Sequence, residues 1–267
     1  MRLIVGLRRP RLQSTGTDFA GEVEAIGASV SRFKVGDKVF GFYDHGFGSH
    51  AQYIAVAETV PMAVMPKGKD FAEAVAGLEG MHYAFNFVRV GGVQKGQRVL
   101  VNGGTGAIGS AAIQLLKYYG THVTATCRTE HMDLVKSIGA DRVIDYTKQD
   151  FTEDKEKYDF VFDTVGKSTF GRCRRLLTPH GGYISSELGP WMQNIAFALT
   201  TPCFRGRKVY FPFPANIPRS INFVRDRMED GTFKPVIDRK YPLERLPEAF
   251  EYVESGQKVG NVVLTCE

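Results

Sequence analysis

The sequence predicts an α/β protein in which a doubly wound parallel sheet is inserted into a smaller β unit. Three observations predict it. From Arg98 to about residue 186, short apolar strands alternate with helical stretches, the pattern of βαβ units on a parallel sheet. A glycine-rich turn at 103–109 joins one of those strands directly to a helix. The two ends of the chain, 1–66 and 237–267, are mostly extended, so they read as one β unit interrupted by an α/β domain at 67–236.

Each element has its own warrant. "DFAGEVEAIG" (18–27) alternates Phe19, Gly21, Val23 and Ala25 against Glu22 and Glu24, the period of a strand with one polar face. "FKVGDKVFGF" (33–42) turns at Gly36–Asp37 and resumes as a strand, and "HAQYIAV" (50–56) is a third strand candidate. Short strands with glycine turns predict a small barrel or sandwich. "KDFAEAVAGLEGMHYAFNFV" (69–88) is helical, with Asp70 as its N-cap. RVLVN (98–102), HVTATC (122–127), DRVID (141–145), DFVFDTV (159–165) and GGYISS (181–186) are strands; 107–119 and 130–138 are helices between them. The tail adds an extended piece, a helix from Leu246 to Ser255 and a last strand, NVVLT.

Composition narrows the function classes. Apolar residues make up 43% and charged residues 24%, ordinary for a chain with a real core. No apolar run reaches the ~18 residues of a membrane span, and "MRLIVGLRRPRLQS" lacks the long apolar region of a signal peptide. The formal charge of +5 comes from basic residues interleaved with acids. Its densest spots, "GRCRRLL" (171–177) and "FRGRK" (204–208), read as solvated surface rather than a nucleic-acid stripe. Cys127, Cys173, Cys203 and Cys266 are widely spaced with no CxxC, which points to a reducing cytoplasm and to no disulfide framework.

In "VNGGTGAIGSAAIQLLKYYG" (101–120), Gly104, Gly106 and Gly109 fit GxGxxG. The following Ile108, Ala111, Ala112, Leu115, Leu116 and Tyr119 form one apolar stripe, so the helix lies on the sheet. A dinucleotide site needs a strand running into the turn, glycines where backbone meets phosphate, and a helix N-terminus facing the anion. All three occur in order here, and Thr105 adds a hydroxyl near the phosphates. The second strand ends Ala125-Thr126-Cys127-Arg128-Thr129, with no acid for a ribose 2′-hydroxyl and an arginine suited to a 2′-phosphate. NADP(H) is therefore the expected cofactor. Glu130 is expected to cap the next helix.

"GTDFAGEVEAIGASVSRFKVGDKVFGF", "VNGGTGAIGSAAIQLLKYYG", "SIGADRVIDYT", "YDFVFDTVG" and "GQKVGNVVLTCE" together resemble the medium-chain dehydrogenase/reductase superfamily, in its zinc-independent quinone oxidoreductase (zeta-crystallin-like) branch. The resemblance implies a GroES-like β-barrel domain interrupted by a Rossmann domain. It also implies that Met1 falls inside the barrel of longer members, so that the β domain is N-terminally truncated. By the same resemblance the pyrophosphate cradle is Gly103, Gly104, Thr105, Gly106, Ala107, Ile108 and Gly109, with Gly103 a mild departure from the family's alanine. Tyr146 would flank the 2′-phosphate beside Arg128, Val165 and Gly166 would lie beneath the ribose and nicotinamide side, and Lys258 to Asn261 would close over the cleft.

Several further expectations follow. Gly16-Thr17-Asp18 stands where zinc-dependent members carry GHE; threonine is no zinc ligand, and the six histidines show no HxxxH, so no metal is expected. The reaction implied is hydride transfer to a quinone or an α,β-unsaturated carbonyl, which needs no named catalytic residue. Tyr43, His45 and His50 are candidates only through their loop. The segment 190–214 could wall the substrate site and pair a second subunit through RKVYF, or be a locally packed helix and strand. An enoyl-thioester reductase and a non-catalytic NADPH-binding protein are the rival functions.

Overall fold

The computed structural model describes residues 15–42, 48–213 and 215–266. Strand β1 (Asp18–Glu22) pairs antiparallel with β2 (Lys38–Phe42), which pairs antiparallel with β3 (Met62–Val64). Gly36, in the turn that enters β2, has φ +86°, a conformation a side chain would resist. Residues 50–56 do not form the expected strand. The Ala51 N–H donates to Ser49 O in a turn (2.9 Å), and Tyr53 and Val56 are exposed. Alternation alone makes no strand where no neighbouring ladder takes up its backbone groups. Among the described residues β1, β2 and β3 thus form an open three-stranded sheet.

The predicted helix 69–88 is two helices, α1 (Phe71–Ala76) and α2 (Leu78–Gly91). Asp70 does cap α1, in a reciprocal box: the Glu73 N–H donates to Asp70 Oδ1 (2.6 Å) and the Asp70 N–H to Glu73 Oε2 (3.3 Å). The break falls at Gly77, where a Cβ would come within 2.9 Å of Met228 Sδ. A glycine there lets the chain pass close under a later helix.

The parallel sheet consists of β4 (Arg98–Asn102), β5 (His122–Cys127), β6 (Arg142–Asp145), β7 (Tyr158–Asp163), β8 (Leu177–Ser185) and β9 (Lys208–Tyr210), in spatial order β6-β5-β4-β7-β8-β9. The order reverses between β4 and β7, which is the switch point of a doubly wound sheet and the place where such sheets bind ligands. Crossing helices are α3 (Ala107–Tyr118), α4 (Met132–Ser137), α5 (Phe170–Cys173) and α6 (Gln193–Thr200). Leu100, Tyr158, Val161, Leu176, Leu177 and Tyr183 are buried together under the sheet. Helix α3 buries Ala111, Ala112, Leu115 and Leu116 of the predicted stripe, and also Ile113, whose Cδ1 reaches the glycine turn.

The chain ends with α7 (Ile217–Glu229), β10 (Ile237–Pro242), α8 (Leu246–Glu254) and β11 (Asn261–Thr265); β10 and β11 pair in parallel. Packing divides the chain into Met1–Glu79 with Ile217–Glu267, and Gly80–Asn216. The expected boundaries at 67 and 236 therefore move inward. Helix α1 packs on β1 and β11, and α7 on β2 and β3, so both helices belong to the β unit. Helical periodicity identifies a helix but not the sheet it covers.

Candidate cofactor site

Three loops at the carboxyl ends of β4, β7 and β8 meet around the glycine turn. Gly103 leaves β4 with φ +91°, and a Cβ on it would lie 2.4 Å from Val165 Cγ1. Glycine at 103 is therefore a requirement of this fold rather than a mild departure. A Cβ on Gly109 would lie 2.0 Å from Gly103 O, so the first turn of α3 closes directly onto the loop backbone. Gly104 is only slightly freer, with Ala125 Cβ at 3.0 Å from its would-be Cβ. Gly106 differs: its would-be Cβ meets only Gly103 O, at 3.6 Å, and otherwise open space.

Gly106 is also the N-cap of α3, and no side chain caps that helix. Its first turn carries no acidic residue. The N–H groups of Ala107, Ile108 and Gly109 occupy the positions that lack intrahelical partners, at the positive end of the helix dipole. Such an arrangement is suited to an anion. Thr105 to Ile108 are partly exposed, so the cradle is open to a ligand.

The turn is held from beneath by a buried polar network. The Gly103 N–H donates to Thr126 Oγ1 (3.0 Å), Thr126 Oγ1 donates to Asn102 Oδ1 (2.8 Å), and Asn102 Nδ2 donates to Asp163 Oδ1 (3.0 Å). The other Asp163 oxygen accepts from Tyr183 OH (2.9 Å) and from the Ser168 N–H (3.0 Å). Thr164 Oγ1 donates to Asn102 O (2.8 Å). Asp163 is fully buried, and three donors satisfy its carboxyl oxygens. Burial, with Asp163 beside it, pushes the Tyr183 phenol up, so it remains a donor; burial pushes the Cys173 thiol up to about 11. These groups rigidify the cradle and carry no chemistry of their own.

At the tip of β5, Arg128 Nε donates to Tyr146 OH (3.1 Å), and both side chains are exposed. The sequence-predicted pair is thus brought together. Glu130 does not cap α4. It lies in the tight turn Thr129–His131, with its carboxylate 3.9 Å from Arg128 and from His131. Asp145, at the end of β6, accepts from Thr129 Oγ1 and from the Thr147 N–H (2.9 Å) and hydroxyl (2.6 Å). The Thr129 and Thr147 hydroxyls hold its pKa down to about 2. Val165 packs on Gly103, and Gly166, at φ +63°, faces Glu187, whose Cγ would be 2.2 Å from a Cβ there.

Sequence reasoning missed Gly80, Asn102 and Asp163. A Cβ on Gly80 would lie 2.7 Å from Ala107 O, so this glycine lets α2 press on the start of α3. Its signal was an isolated glycine inside a helical pattern. Asn102 and Asp163 were visible as polar residues ending otherwise apolar strands.

In the β unit, the segment before β11 is ordered by Asp238, which accepts from Tyr252 OH (2.7 Å) and the Val259 N–H (2.9 Å). Lys258 Nζ donates to Gly260 O (2.8 Å). Desolvation lowers the Lys258 pKa while Glu79 opposes the shift; desolvation raises the Glu79 pKa, and it raises that of Asp18 well above the usual carboxylate range, with the Glu79 charge adding to the effect. Thr17 Oγ1 donates to Asp18 Oδ1 (3.4 Å). His50 bonds Thr15 Oγ1 through Nδ1 (2.8 Å), and burial lowers its pKa. Tyr43 and His45 lie outside the described residues.

Comparison with known proteins adds to this geometry. The family described as "Alcohol dehydrogenase GroES-like domain" matches residues 4–67, and "Zinc-binding dehydrogenase" matches 138–264. The chloroplastic quinone-oxidoreductase homolog of Spinacia oleracea is 31% identical; the match covers 93% of this chain and 78% of that protein. The chain belongs to the medium-chain dehydrogenase/reductase superfamily. The chloroplastic NADPH-dependent alkenal/one oxidoreductase of Arabidopsis thaliana is 35% identical, over 93% of this chain and 63% of its own length. This chain thus spans less than two thirds of that relative. In fold, the quinone oxidoreductase of Coxiella burnetii superposes with a TM-score of 0.85 at 24% identity, covering 98% of this chain and 81% of that one. Zinc, for which one matching family is named, does not fit the donors among the described residues. Thr17 offers only a hydroxyl, and no group of three or more His, Cys, Asp or Glu among the described residues could hold a metal. No described helix is long and apolar enough to cross a membrane.

Proposed function

We propose that this superfamily member binds NADPH and reduces a quinone or an α,β-unsaturated carbonyl by hydride transfer, without a metal. The observation that carries the reading is the open, uncapped N-terminus of α3, reached from β4 through glycines, with Arg128 and Tyr146 standing together at the tip of β5. A relative named as an NADPH-dependent alkenal/one oxidoreductase supports it.

When bound, the nicotinamide supplies the hydride; the chain supplies position. The first-turn N–H groups of Ala107, Ile108 and Gly109, with the Thr105 hydroxyl, hold the pyrophosphate. Arg128 donates charge-assisted hydrogen bonds to the 2′-phosphate, and Tyr146 fixes its guanidinium. Val165 and Gly166 form the floor on the far side of the switch point. A conjugated acceptor needs only polarisation and alignment with the donor, and water protonates the product, so no side chain is assigned as acid or base.

The same reading makes the protein a homodimer. Strand β9 is the sheet's edge, and Leu199, Phe204 and Phe213 around it are exposed, as an edge awaiting a partner would be. Light scattering that finds a monomer at every concentration removes this part. Four unpaired cysteines support a reducing compartment, the cytosol in our reading.

The experiment is NADPH oxidation followed by absorbance, with menadione, crotonaldehyde and crotonyl-CoA in parallel. Turnover of menadione or crotonaldehyde ahead of crotonyl-CoA is the expected result. Preference for crotonyl-CoA makes the chain an enoyl-thioester reductase, and tight NADPH binding with no turnover makes it a non-catalytic binder.

A further inference from the structure

Trp191 is the only tryptophan of the chain, and its side chain is completely exposed, at 101%. It sits in left-handed backbone (φ 54°, ψ 29°), and so does Met192 (φ 58°, ψ 26°). Bulky residues avoid that region, and two in succession require the surrounding chain to hold them there. The neighbours Leu188 and Met192 are exposed too. An apolar surface of this kind on a strained turn is costly unless something covers it.

The foot of this turn, by contrast, is firmly tied. The Glu187 N–H donates to Ser185 Oγ (3.2 Å) at the end of β8. Asn194 Nδ2 donates to Glu187 O (2.7 Å), the Asn194 N–H to Leu188 O (3.1 Å), and the Met192 N–H to Gly189 O (3.2 Å). Gly189, at φ +69°, packs its backbone against the Asn194 side chain, which is buried. Among the described residues Asn194 Oδ1 has no hydrogen-bond partner. A rigid foot under an exposed indole is the construction of a presented contact, not of an unpacked loop.

We infer that Trp191 is a stacking platform for the flat, conjugated acceptor, and so a specificity-determining residue of the proposed reductase. The assignment rests on the NADPH reading above and follows from the order of loops along the sheet. Arg128 and Tyr146 mark the β5–β6 side, the glycine turn the middle, and Val165–Gly166 the end of β7. Glu187 lies against Gly166, and the segment Leu188–Met192 is the next loop outward. A dinucleotide anchored at Arg128 and the α3 N-terminus directs its nicotinamide toward the β7 and β8 loops. The acceptor must stack on that ring, and the loop after β8, which carries the indole, is the next one along the strand order. The stretch Leu-Gly-Pro-Trp-Met carries no charge, which suits a neutral planar ring and not a phosphate.

Because Trp191 is alone, intrinsic fluorescence reports it directly. The full chain, saturated with NADP+, is titrated with menadione and separately with crotonaldehyde, and acrylamide quenching is measured at each end point. The inference predicts saturable quenching by menadione, with acrylamide accessibility falling about threefold or more. In steady state, Trp191→Ala raises the KM for menadione about tenfold, at least about five times more than that for crotonaldehyde, and Trp191→Phe recovers most of the loss. Purely linear quenching by menadione overturns the inference, as does an equal KM change for both acceptors. So does acrylamide accessibility that falls with protein concentration alone, which would show a second copy covering the indole. The titration needs no turnover. Saturable quenching in a protein that oxidises no NADPH would retain the platform and discard the reductase.

Discussion

Replacing Gly109 by alanine tests the cradle at its tightest point. The new Cβ would lie 2.0 Å from Gly103 O and 3.0 Å from Thr164 Oγ1. A methyl carbon and a carbonyl oxygen in contact sit about 3.3 Å apart, so helix and loop must separate by roughly 1.3 Å. That movement breaks the Gly106 N–H bond to Gly103 O (3.1 Å) and lifts Ala111, Ala112 and Ile113 from the sheet. Overpacking of this kind costs about 1–3 kcal/mol, a fall of roughly 3–10 °C in the melting temperature of a chain this size. It also moves the free N–H groups away from the phosphate, so NADPH affinity falls about tenfold or more. Gly106→Ala is the complementary variant. Its Cβ enters open space with only Gly103 O at 3.6 Å, and Gly106 has φ −71°, which alanine adopts freely. It should melt within about 2 °C of the parent and yet bind NADPH about tenfold more weakly, because its methyl occupies the phosphate's approach. Calorimetric melting and equilibrium titration read both effects. An unshifted melting temperature for Gly109→Ala, or parental NADPH affinity for Gly106→Ala, would refute the geometry.

Arg128→Ala should weaken NADPH binding about tenfold and NADH binding by no more than about twofold, read by titration of each; equal losses would place the arginine elsewhere than at the 2′-phosphate. Asp18 keeps its proton in the folded chain at pH values where the unfolded chain, at about 3.9, has lost it. The folded state then binds more protons, so stability falls as pH rises toward the folded value. Glu79 and Thr17 face this group, and Lys258 in turn acts on Glu79. The change in melting temperature on Asp18→Asn should therefore be more favourable at about pH 8 than at about pH 5; a pH-independent difference would contradict the raised Asp18.

The order of elements in the parallel sheet was legible in the sequence because short strand-like stretches there alternate with helical ones. RVLVN and HVTATC form strands of that sheet with those same residues at their ends, as NVVLT does in the β unit. The outer β unit was less legible. HAQYIAV alternates correctly, but a strand also needs a partner, and pairing is a tertiary fact. The Gly77 break was hidden because both flanking segments favour helix; only the approach of Met228 explains it. In the site, the phosphate cradle and the Arg128–Tyr146 pair could be read from spacing and charge. The Asn102–Thr126–Asp163 network could not, since it joins residues from three strands that are neighbours only after folding. Glu130 was misassigned for a similar reason: a tight turn intervenes before α4, and its carboxylate reaches Arg128 instead.

The central claim is that the α3 N-terminus and Arg128 form an NADPH site. Side-by-side equilibrium titrations of the intact chain with NADPH and NADH test it most directly. The account predicts NADPH tighter by about tenfold or more. Equal affinities, or no binding of either, would contradict it.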